Sequence, residues 1–151
     1  MSEYWTEFES SHARQIIESN GRDQDAWCNA DYSDQWCKSL EGRIWAYTLM
    51  VNEIPVACVG LILQDWGKAE AWALFSNSFK DHILTIYRLI KVGLKMAFHE
   101  KNLRRIQATI DPSYPETIKW MESLGFECEG RLKNYGPGEN HPDHLMYART
   151  N

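Results

Sequence analysis

Basic side chains are concentrated in one stretch of an otherwise acidic chain. Residues 1–75 contain five Lys or Arg and twelve Asp or Glu, whereas residues 76–151 contain eleven and nine. Between Lys80 and Arg105 seven basic residues stand against only Asp81 and Glu100. Such a cluster either binds an anionic ligand or forms the solvated face of a helix, and the charges alone leave both interpretations open.

The spacing of the cysteines and histidines does not indicate a metal site. Cys28, Cys37, Cys58 and Cys128 form no CxxC pair, and a zinc site would need a second clustered ligand pair. Two of them lie in apolar runs, which favours packed, reduced thiols. Residues 141–144 read His-Pro-Asp-His, and the proline favours a turn over a pair of ligands. We therefore expect no bound metal.

Composition narrows the class of protein further. A chain of 151 residues with 44% hydrophobic and 13% aromatic residues is typical of one soluble domain, here expected over residues 1–151. The net charge of −5 argues against a general nucleic-acid binder or a polybasic membrane sensor. No apolar run approaches the ~20 residues of a membrane span, and the start Met-Ser-Glu-Tyr is not typical of a signal peptide. We expect a cytoplasmic protein.

Hydrophobic periodicity predicts the elements that position these residues. Alternation predicts strands, and recurrence at three and four residues predicts helices; the longest predicted helix has about 18 residues and carries the basic cluster. The predicted elements are a strand at 4–9, helices at 10–19 and from about 33, strands at 43–51, 55–64 and 69–76, a helix from 83, a strand at 105–110, a helix at 116–124, and strands at 126–135 and 144–150. This order predicts an α+β domain with a mixed sheet.

The second half of the chain contains two segments with a specific pattern. Residues 103–112 read LRRIQATIDP, and residues 117–130 read TIKWMESLGFECEG. These segments resemble the C-terminal half of the GNAT (Gcn5-related) N-acetyltransferases, especially the ribosomal-protein N-terminal acetyltransferase branch of that superfamily. Residues 131–135 and 143–149 continue the likeness. The resemblance implies a mostly antiparallel sheet flanked by helices, in which the fourth and fifth strands splay apart.

The same resemblance implies acetyl-coenzyme A (acetyl-CoA) as the acetyl donor, lying in the gap between the splayed strands. Its pantetheine arm is expected on the free edge of the fourth strand, and its pyrophosphate on the amides that open the next helix. Thr117 matches the small hydroxyl residue that family members place against the cofactor. The expected cofactor contacts are Leu74, Phe75, Ser76, Lys80, His82, Arg88 and Thr117.

Acetyl transfer to an amine needs a base for the ammonium group and an acid for the departing thiolate. Glu70, at the start of the fourth strand, lies where the resemblance implies a base; an exposed strand-end carboxylate is the alternative interpretation. Tyr114 is the candidate acid, with Ser113 and Tyr135 as further hydroxyl groups. Each of these three also fits a packing or surface role.

Two positions depart from the family pattern. The phosphate loop of the family carries glycines, which let the backbone approach a pyrophosphate, but residues 76–82 read SNSFKDH without one. Many family members also have a tyrosine four residues before the glycine of the Gly-Phe pair. That position is Met121, which cannot donate a proton.

Two functions are therefore compatible with the sequence. The first is an N-acetyltransferase acting on a primary amine of a protein N-terminus, a lysine or a small molecule. The second is a GNAT-fold binding or structural protein that has lost catalysis; small phage-encoded proteins show a similar degenerate pattern. The tryptophans of the acidic first half suit a cationic acceptor or a basic peptide, or simply fill the core. A homodimer is a further expectation.

Overall fold

The computed structural model describes residues 2–20, 34–41, 45–136 and 140–151. In these residues seven strands form one sheet, in the order β1-β2-β3-β4-β5-β7-β6. No helix among them is long and apolar enough to span a membrane. The elements are β1 Glu3–Glu7, α1 Ser10–Asn20, α2 Asp34–Ser39, β2 Trp45–Val51, β3 Ile54–Gln64, β4 Lys68–Phe75, α3 Ile83–Glu100, β5 Arg105–Ile110, α4 Pro115–Ser123, β6 Glu127–Leu132 and β7 His144–Thr150.

This order confirms the predicted α+β fold, with three local differences. A 3₁₀ turn, Phe79–His82, precedes α3 and was not expected. The strand predicted over residues 126–135 ends at Leu132, because Asn134 adopts a left-handed backbone (φ 55°) that turns the chain. The strand predicted at 4–9 ends at Glu7. The sequence also predicts that the first two helices end at Gly21 and Gly42, and both residues lie outside the described part of the chain.

Helices cover both faces of the sheet, and side-chain alternation along β4 separates them. Trp72 and Leu74 pack with Phe8 and Ile16 of the α1 side. Ala69 packs on the other face, in a cluster with residues of α3 and α4. The even-numbered residues of β4 therefore face α1 and α2, and the odd-numbered ones face α3 and α4.

Two of the three cysteines that are described lie in the core, as predicted. Cys37 and Cys58 are fully buried between α1, α2 and the sheet. Burial raises the pKa of the Cys58 thiol to about 12, so this thiol stays protonated at neutral pH. Cys128 differs from the prediction, since it lies on the exposed strand β6.

Gly93 of α3 allows the closest helix-to-sheet contact that we find, and replacing it tests the packing. A Cβ atom there would lie 2.1 Å from Cζ2 of Trp45 on β2. Helix propensity favours alanine by about 1 kcal/mol, but overpacking costs about 1–3 kcal/mol or more. We expect Gly93→Ala to destabilise the fold by about 2 kcal/mol in urea unfolding. The smaller ring in a Trp45→Phe background should remove most of this loss, and an unchanged stability of Gly93→Ala alone would contradict the packing.

Candidate active site

A gap opens between β4 and β5, the parallel pair of the sheet. The two strands pair through Lys68↔Arg105, Ala69↔Ile106 and Glu70↔Gln107, and no further. Beyond that point β4 continues to Phe75 and β5 to Ile110. We call the space between residues 71–75 and 108–110 the gap; its closed end lies at Glu70 and its open end at the start of the 3₁₀ turn. The predicted splayed pair is thus confirmed.

The backbone of β4 presents unpaired hydrogen-bonding groups to the gap. Ser76 N–H donates to Val56 O across to β3 (2.8 Å), and hydrogen-bonded pairs alternate along an antiparallel ladder. Leu74 therefore also directs its backbone groups toward β3. Ala71, Ala73 and Phe75 direct theirs toward the gap, where β5 no longer pairs with them. Of the predicted contacts Leu74, Phe75 and Ser76, only Phe75 offers its backbone on this side.

An apolar cavity of about 70 Å³ lies at the closed end of the gap. We call it the inner cavity. Ala71 and Ala73 of β4 line it together with Ala108 of β5, and Thr117 and Met121 of α4. It extends under α3 across β4, where its walls are Val59, Leu61, Ile90, Leu94 and, at the far side, Trp45.

A wider groove of about 460 Å³ lies at the open end, between the 3₁₀ turn and α4. We call it the outer groove. Lys80 and Lys119 stand on opposite sides of it, with Glu116 as the acidic residue of its lining. Trp120 lines both the inner cavity and the outer groove. Its ring packs against Phe75, with centroids 5.9 Å apart, so an aromatic wall separates the two spaces.

Lys119 is a residue that sequence reasoning missed. It lies on the exposed side of α4, and nothing in its local spacing distinguishes it from an ordinary solvated lysine. Only the packing of α4 against α3, fixed by the Tyr87 hydroxyl donating to Ser123 O (3.0 Å), brings it across from Lys80.

In the glycine-free loop between β4 and α3, some backbone amides are already hydrogen-bonded within the loop. Phe79 N–H donates to Ser76 O and Asp81 N–H to Ser78 O, both at 3.1 Å. Neither the 3₁₀ turn nor α3 has a side-chain cap. Side-chain cations rather than a nest of amides are therefore the main anion-binding groups that this loop provides.

His82, a predicted cofactor contact, faces β1. Its Nδ1 lies 2.8 Å from Glu3 Oε2, and Thr85 Oγ1 donates to the other carboxylate oxygen of Glu3 (3.0 Å). This hydrogen bonding lowers the pKa of Glu3, the contact with His82 contributing most. His82 thus ties the start of α3 to the first strand and does not line the outer groove.

Glu70, the predicted base, lies at the closed end of the gap on the face opposite α3 and α4. It is the last residue of β4 to pair with β5, beside Gln107. Burial raises the pKa of its carboxyl group, while a hydrogen bond from Gln64 Nε2 (3.1 Å) acts in the opposite direction. A half-buried carboxylate with a raised pKa is suited to accept a proton.

The other predicted residues are not gathered around Glu70. Tyr114 precedes α4 at the open end of the gap, with 39% of its surface exposed. Arg88 is exposed on α3 and does not line the outer groove. Ser76 lines a separate groove next to α1. Thr117, in contrast, is buried in the wall of the inner cavity.

The tryptophans that are described divide between core and surface. Trp72 is buried on the α1 side of the sheet, against Gly60, where a Cβ would lie 2.7 Å from its ring. Among the described residues, its Nε1 has no hydrogen-bond acceptor. Trp66 is 80% exposed at the β3–β4 turn. Trp27 and the side chain of Trp36 lie outside the described residues, and so do Asp23, Asp25 and Asp31 of the acidic first half.

The segment His141–His144 leads into β7, and its members have different partners. Asp143 accepts hydrogen bonds from Arg131 Nε (2.8 Å) and Asn134 N–H (3.0 Å). His141 is exposed, whereas His144 is 1% exposed under Gly136. Within the part of the chain that the structure describes, no three His, Cys, Asp or Glu residues form a metal-binding group.

Buried histidines make the stability of the fold pH-dependent. Burial lowers the pKa of His144 and of His12, so the unfolded chain takes up protons that the folded chain excludes. Stability is then fully present above pH ~6.5 and is lost as the pH falls below it. We expect His144→Phe to reduce the difference in unfolding free energy between pH 8 and pH 5, measured in urea. His141→Gln, a change at the exposed histidine nearby, should leave the difference between pH 8 and pH 5 at its wild-type value. If His144→Phe also shows the wild-type difference, burial of His144 is not the cause of the pH dependence.

Comparison with solved structures decides the fold. A ribosomal-protein-S5-alanine acetyltransferase from Vibrio fischeri superposes with a TM-score of 0.77 at 17% identity, over 100% of this chain and 94% of the other. The chain has the GNAT fold. Mycobacterium smegmatis RimJ in complex with CoA-disulfide has the same GNAT fold, with a TM-score of 0.74 at 19% identity over 98% and 81% of the two chains.

Sequence comparison gives a shorter match. The chain is 32% identical over 104 residues to an uncharacterized N-acetyltransferase p20 from Bacillus licheniformis, a match that covers 64% of this chain. The match spans 56% of the length of that relative. No family model matches the chain.

Proposed function

We propose that this chain is an N-acetyltransferase that transfers the acetyl group of acetyl-CoA to a primary amine. The observation that carries the proposal is the gap: unpaired backbone of β4 on one side, an apolar cavity at its closed end, and two lysines at its open end. The Bacillus licheniformis relative and the Vibrio fischeri neighbour are both named acetyltransferases, which supports the same activity.

The residues present fit acetyl-CoA at two points. The backbone groups of Ala71, Ala73 and Phe75 match the amides of a pantetheine arm, since a buried strand edge needs hydrogen-bond partners. Lys80 and Lys119 match its phosphates.

Glu70 accepts a proton from the ammonium form of the acceptor, which leaves a neutral amine able to attack. When bound, acetyl-CoA supplies a thioester, so that the new C–N bond forms as the C–S bond breaks and coenzyme A departs as a thiolate. The attacking nitrogen loses its second proton, which ends on the sulfur. Glu70 then releases to solvent the proton that it accepted from the ammonium group, so that every proton and bond is accounted for.

The acid of the reaction is less clearly provided than the base. Thr117 is the hydroxyl side chain that α4 contributes to the inner cavity, and Met121 occupies the usual tyrosine position without a proton to give. Tyr114, at the open end, is far from Glu70 along the strands. A thiol has an ordinary pKa of about 8.5. We propose that the departing thiolate takes its proton from the attacking nitrogen, through Thr117 or water, rather than from Tyr114.

The acceptor is a primary amine on a basic peptide, a protein or a small molecule. The carboxylate of Glu70 at the closed end favours a cation there. The protein is further expected to be cytoplasmic and to form a homodimer. Neither nucleic acid nor membrane is expected as a partner.

The test is product formation from acetyl-CoA and a panel of amines, including N-terminal peptides of ribosomal proteins, lysine peptides and polyamines. Acetylated product identified by mass spectrometry would support the proposal. Tight binding of coenzyme A without product on any amine would instead favour a catalytically inactive binding protein. The glycine-free loop and Met121 are the features that support this alternative.

A further inference from the structure

Glu70 lies between glutamines of the two neighbouring strands, on the sheet face opposite α3 and α4. Ile62 of β3 is paired with Glu70, so Gln64, two residues further along β3, stands diagonally across from Glu70 on the same face. On the other side Glu70 pairs with Gln107 of β5. Diagonal neighbours lie about 7–8 Å apart, which long side chains can bridge. Both glutamines are therefore placed to approach the carboxylate of Glu70.

The two glutamines are used differently. Gln64 Nε2 donates to Glu70 Oε2 at 3.1 Å. The side-chain carbonyl of Gln107 instead accepts from Arg105 Nε (2.8 Å), and Arg105 Nη1 donates to Glu129 Oε2 (3.0 Å). The positive charge of Arg105 is thus compensated by Glu129 rather than by Glu70. Among the described residues, Gln64 is the one side chain that hydrogen-bonds to Glu70, and Glu70 Oε1 receives no donor.

A neutral donor suits a carboxylate that must take up a proton. A cation within about 4–6 Å favours the charged form of a carboxyl group and lowers its pKa by about 1–3, which weakens the base. The amide of Gln64 carries no formal charge, and it lowers the pKa of Glu70 less than burial raises it. The hydrogen bond therefore fixes the orientation of the carboxylate while the carboxylate remains basic.

We propose that Gln64 is a positioning residue of the acetyl transfer: it holds Glu70 Oε2, so that Oε1 takes the proton of the acceptor's ammonium group. The inference rests on the proposed function, in which Glu70 is the base. The proton passes from the ammonium nitrogen to Oε1 and then to solvent, and Gln64 keeps its own protons throughout. Because Gln64 acts only through Glu70, replacing it should change the pH dependence of the rate more than the KM for the acyl-CoA.

Two substitutions with opposite expected effects test the inference. Gln64→Leu removes the donor, so the pH at which the rate reaches half of its plateau should move up by about one pH unit. Gln64→Lys places a cation beside the carboxylate and should move that pH down by about one pH unit. Gln15→Leu, the same loss of an amide on the exposed side of α1, is the matched control and should leave the pH profile at its wild-type position.

Titration of the Glu70 carboxyl carbon by NMR, in isotope-labelled protein, measures the same shifts without acyl-CoA or acceptor. Glu70→Gln assigns the signal, and unfolding in urea shows whether each variant folds; Gln64→Met replaces Gln64→Leu if that variant does not. A titration that moves up in Gln64→Leu and down in Gln64→Lys, together with the rate profile, supports the inference.

The outcomes that overturn the inference differ in what they leave standing. The wild-type titration in a folded Gln64→Leu or Gln64→Met variant overturns the role of Gln64 and leaves the proposed function intact. A titration that moves while the rate profile does not would mean that Glu70 is not the base, and the inference falls with that assignment. Absence of acetylated product with every amine overturns the proposed function itself.

Discussion

Replacing Glu70 by glutamine is expected to reduce kcat for amine acetylation by about 10²–10⁴-fold, the usual contribution of a general base. The change keeps the shape of the side chain and removes its ability to accept a proton. The KM for the acyl-CoA should change little, since Glu70 lies on the face opposite α3 and α4 and beyond the backbone groups that face the gap. Initial rates against pH are the measurement.

The pH profile separates a base from a structural carboxylate. Burial raises the pKa of Glu70, so the wild-type rate should fall with decreasing pH already above the ordinary pKa of a glutamate. In Glu70→Gln the fall in rate caused by protonation of Glu70 should disappear. The rate should instead rise steadily with increasing pH, as the amine loses its proton in solution. Glu127→Gln, the same change on exposed strand β6, serves as the control. Equal rates in Glu70→Gln and the wild type would assign the base elsewhere.

Removing both lysines of the outer groove, Lys80→Ala with Lys119→Ala, is expected to raise the Kd for acetyl-CoA about 100-fold. A hydrogen bond to a charged group contributes about 1.5–3 kcal/mol, and 1.4 kcal/mol corresponds to a factor of ten. Each single variant should account for about a factor of ten. Calorimetry at two salt concentrations measures the effect, and the dependence of affinity on salt should become weaker in the double variant.

Lys91→Ala with Lys95→Ala is the matched control for this charge removal. Both lysines are exposed on α3, and neither lines the outer groove. Their loss should change the Kd less than threefold. A similar weakening in the two double variants would mean that the general positive charge of the segment, rather than the outer groove, attracts the cofactor.

The fold was largely readable from the sequence, because its elements have clean periodicities. Arg105–Ile110 alternates between apolar and polar residues, and its predicted bounds agree with β5. The bounds predicted for His144–Thr150 agree with β7. The 3₁₀ turn before α3 escaped prediction, since four residues are too few for a periodic pattern. The end of β6 depended on the backbone conformation of Asn134, which propensities do not fix.

The site was predictable at the level of strands but not of individual atoms. The gap between β4 and β5 followed from the resemblance, whereas the orientation of each backbone group depends on register, and a shift of one residue exchanges Leu74 with Phe75. Lys119 depends on how α4 packs, and His82 on a contact with distant Glu3. One readable signal was overlooked: Ala69, Ala71 and Ala73 alternate along β4, which indicates a face with space above it.

Crystals of the protein soaked in acetyl-CoA test the central claim most directly, because that claim concerns where the cofactor lies. We predict density between β4 and β5, with the pantetheine arm hydrogen-bonded to the backbone of Ala73 and the phosphates within reach of Lys80 and Lys119. Density for the cofactor at any other place, or none at a soak of about 1 mM that also gives no calorimetric heat, would contradict it.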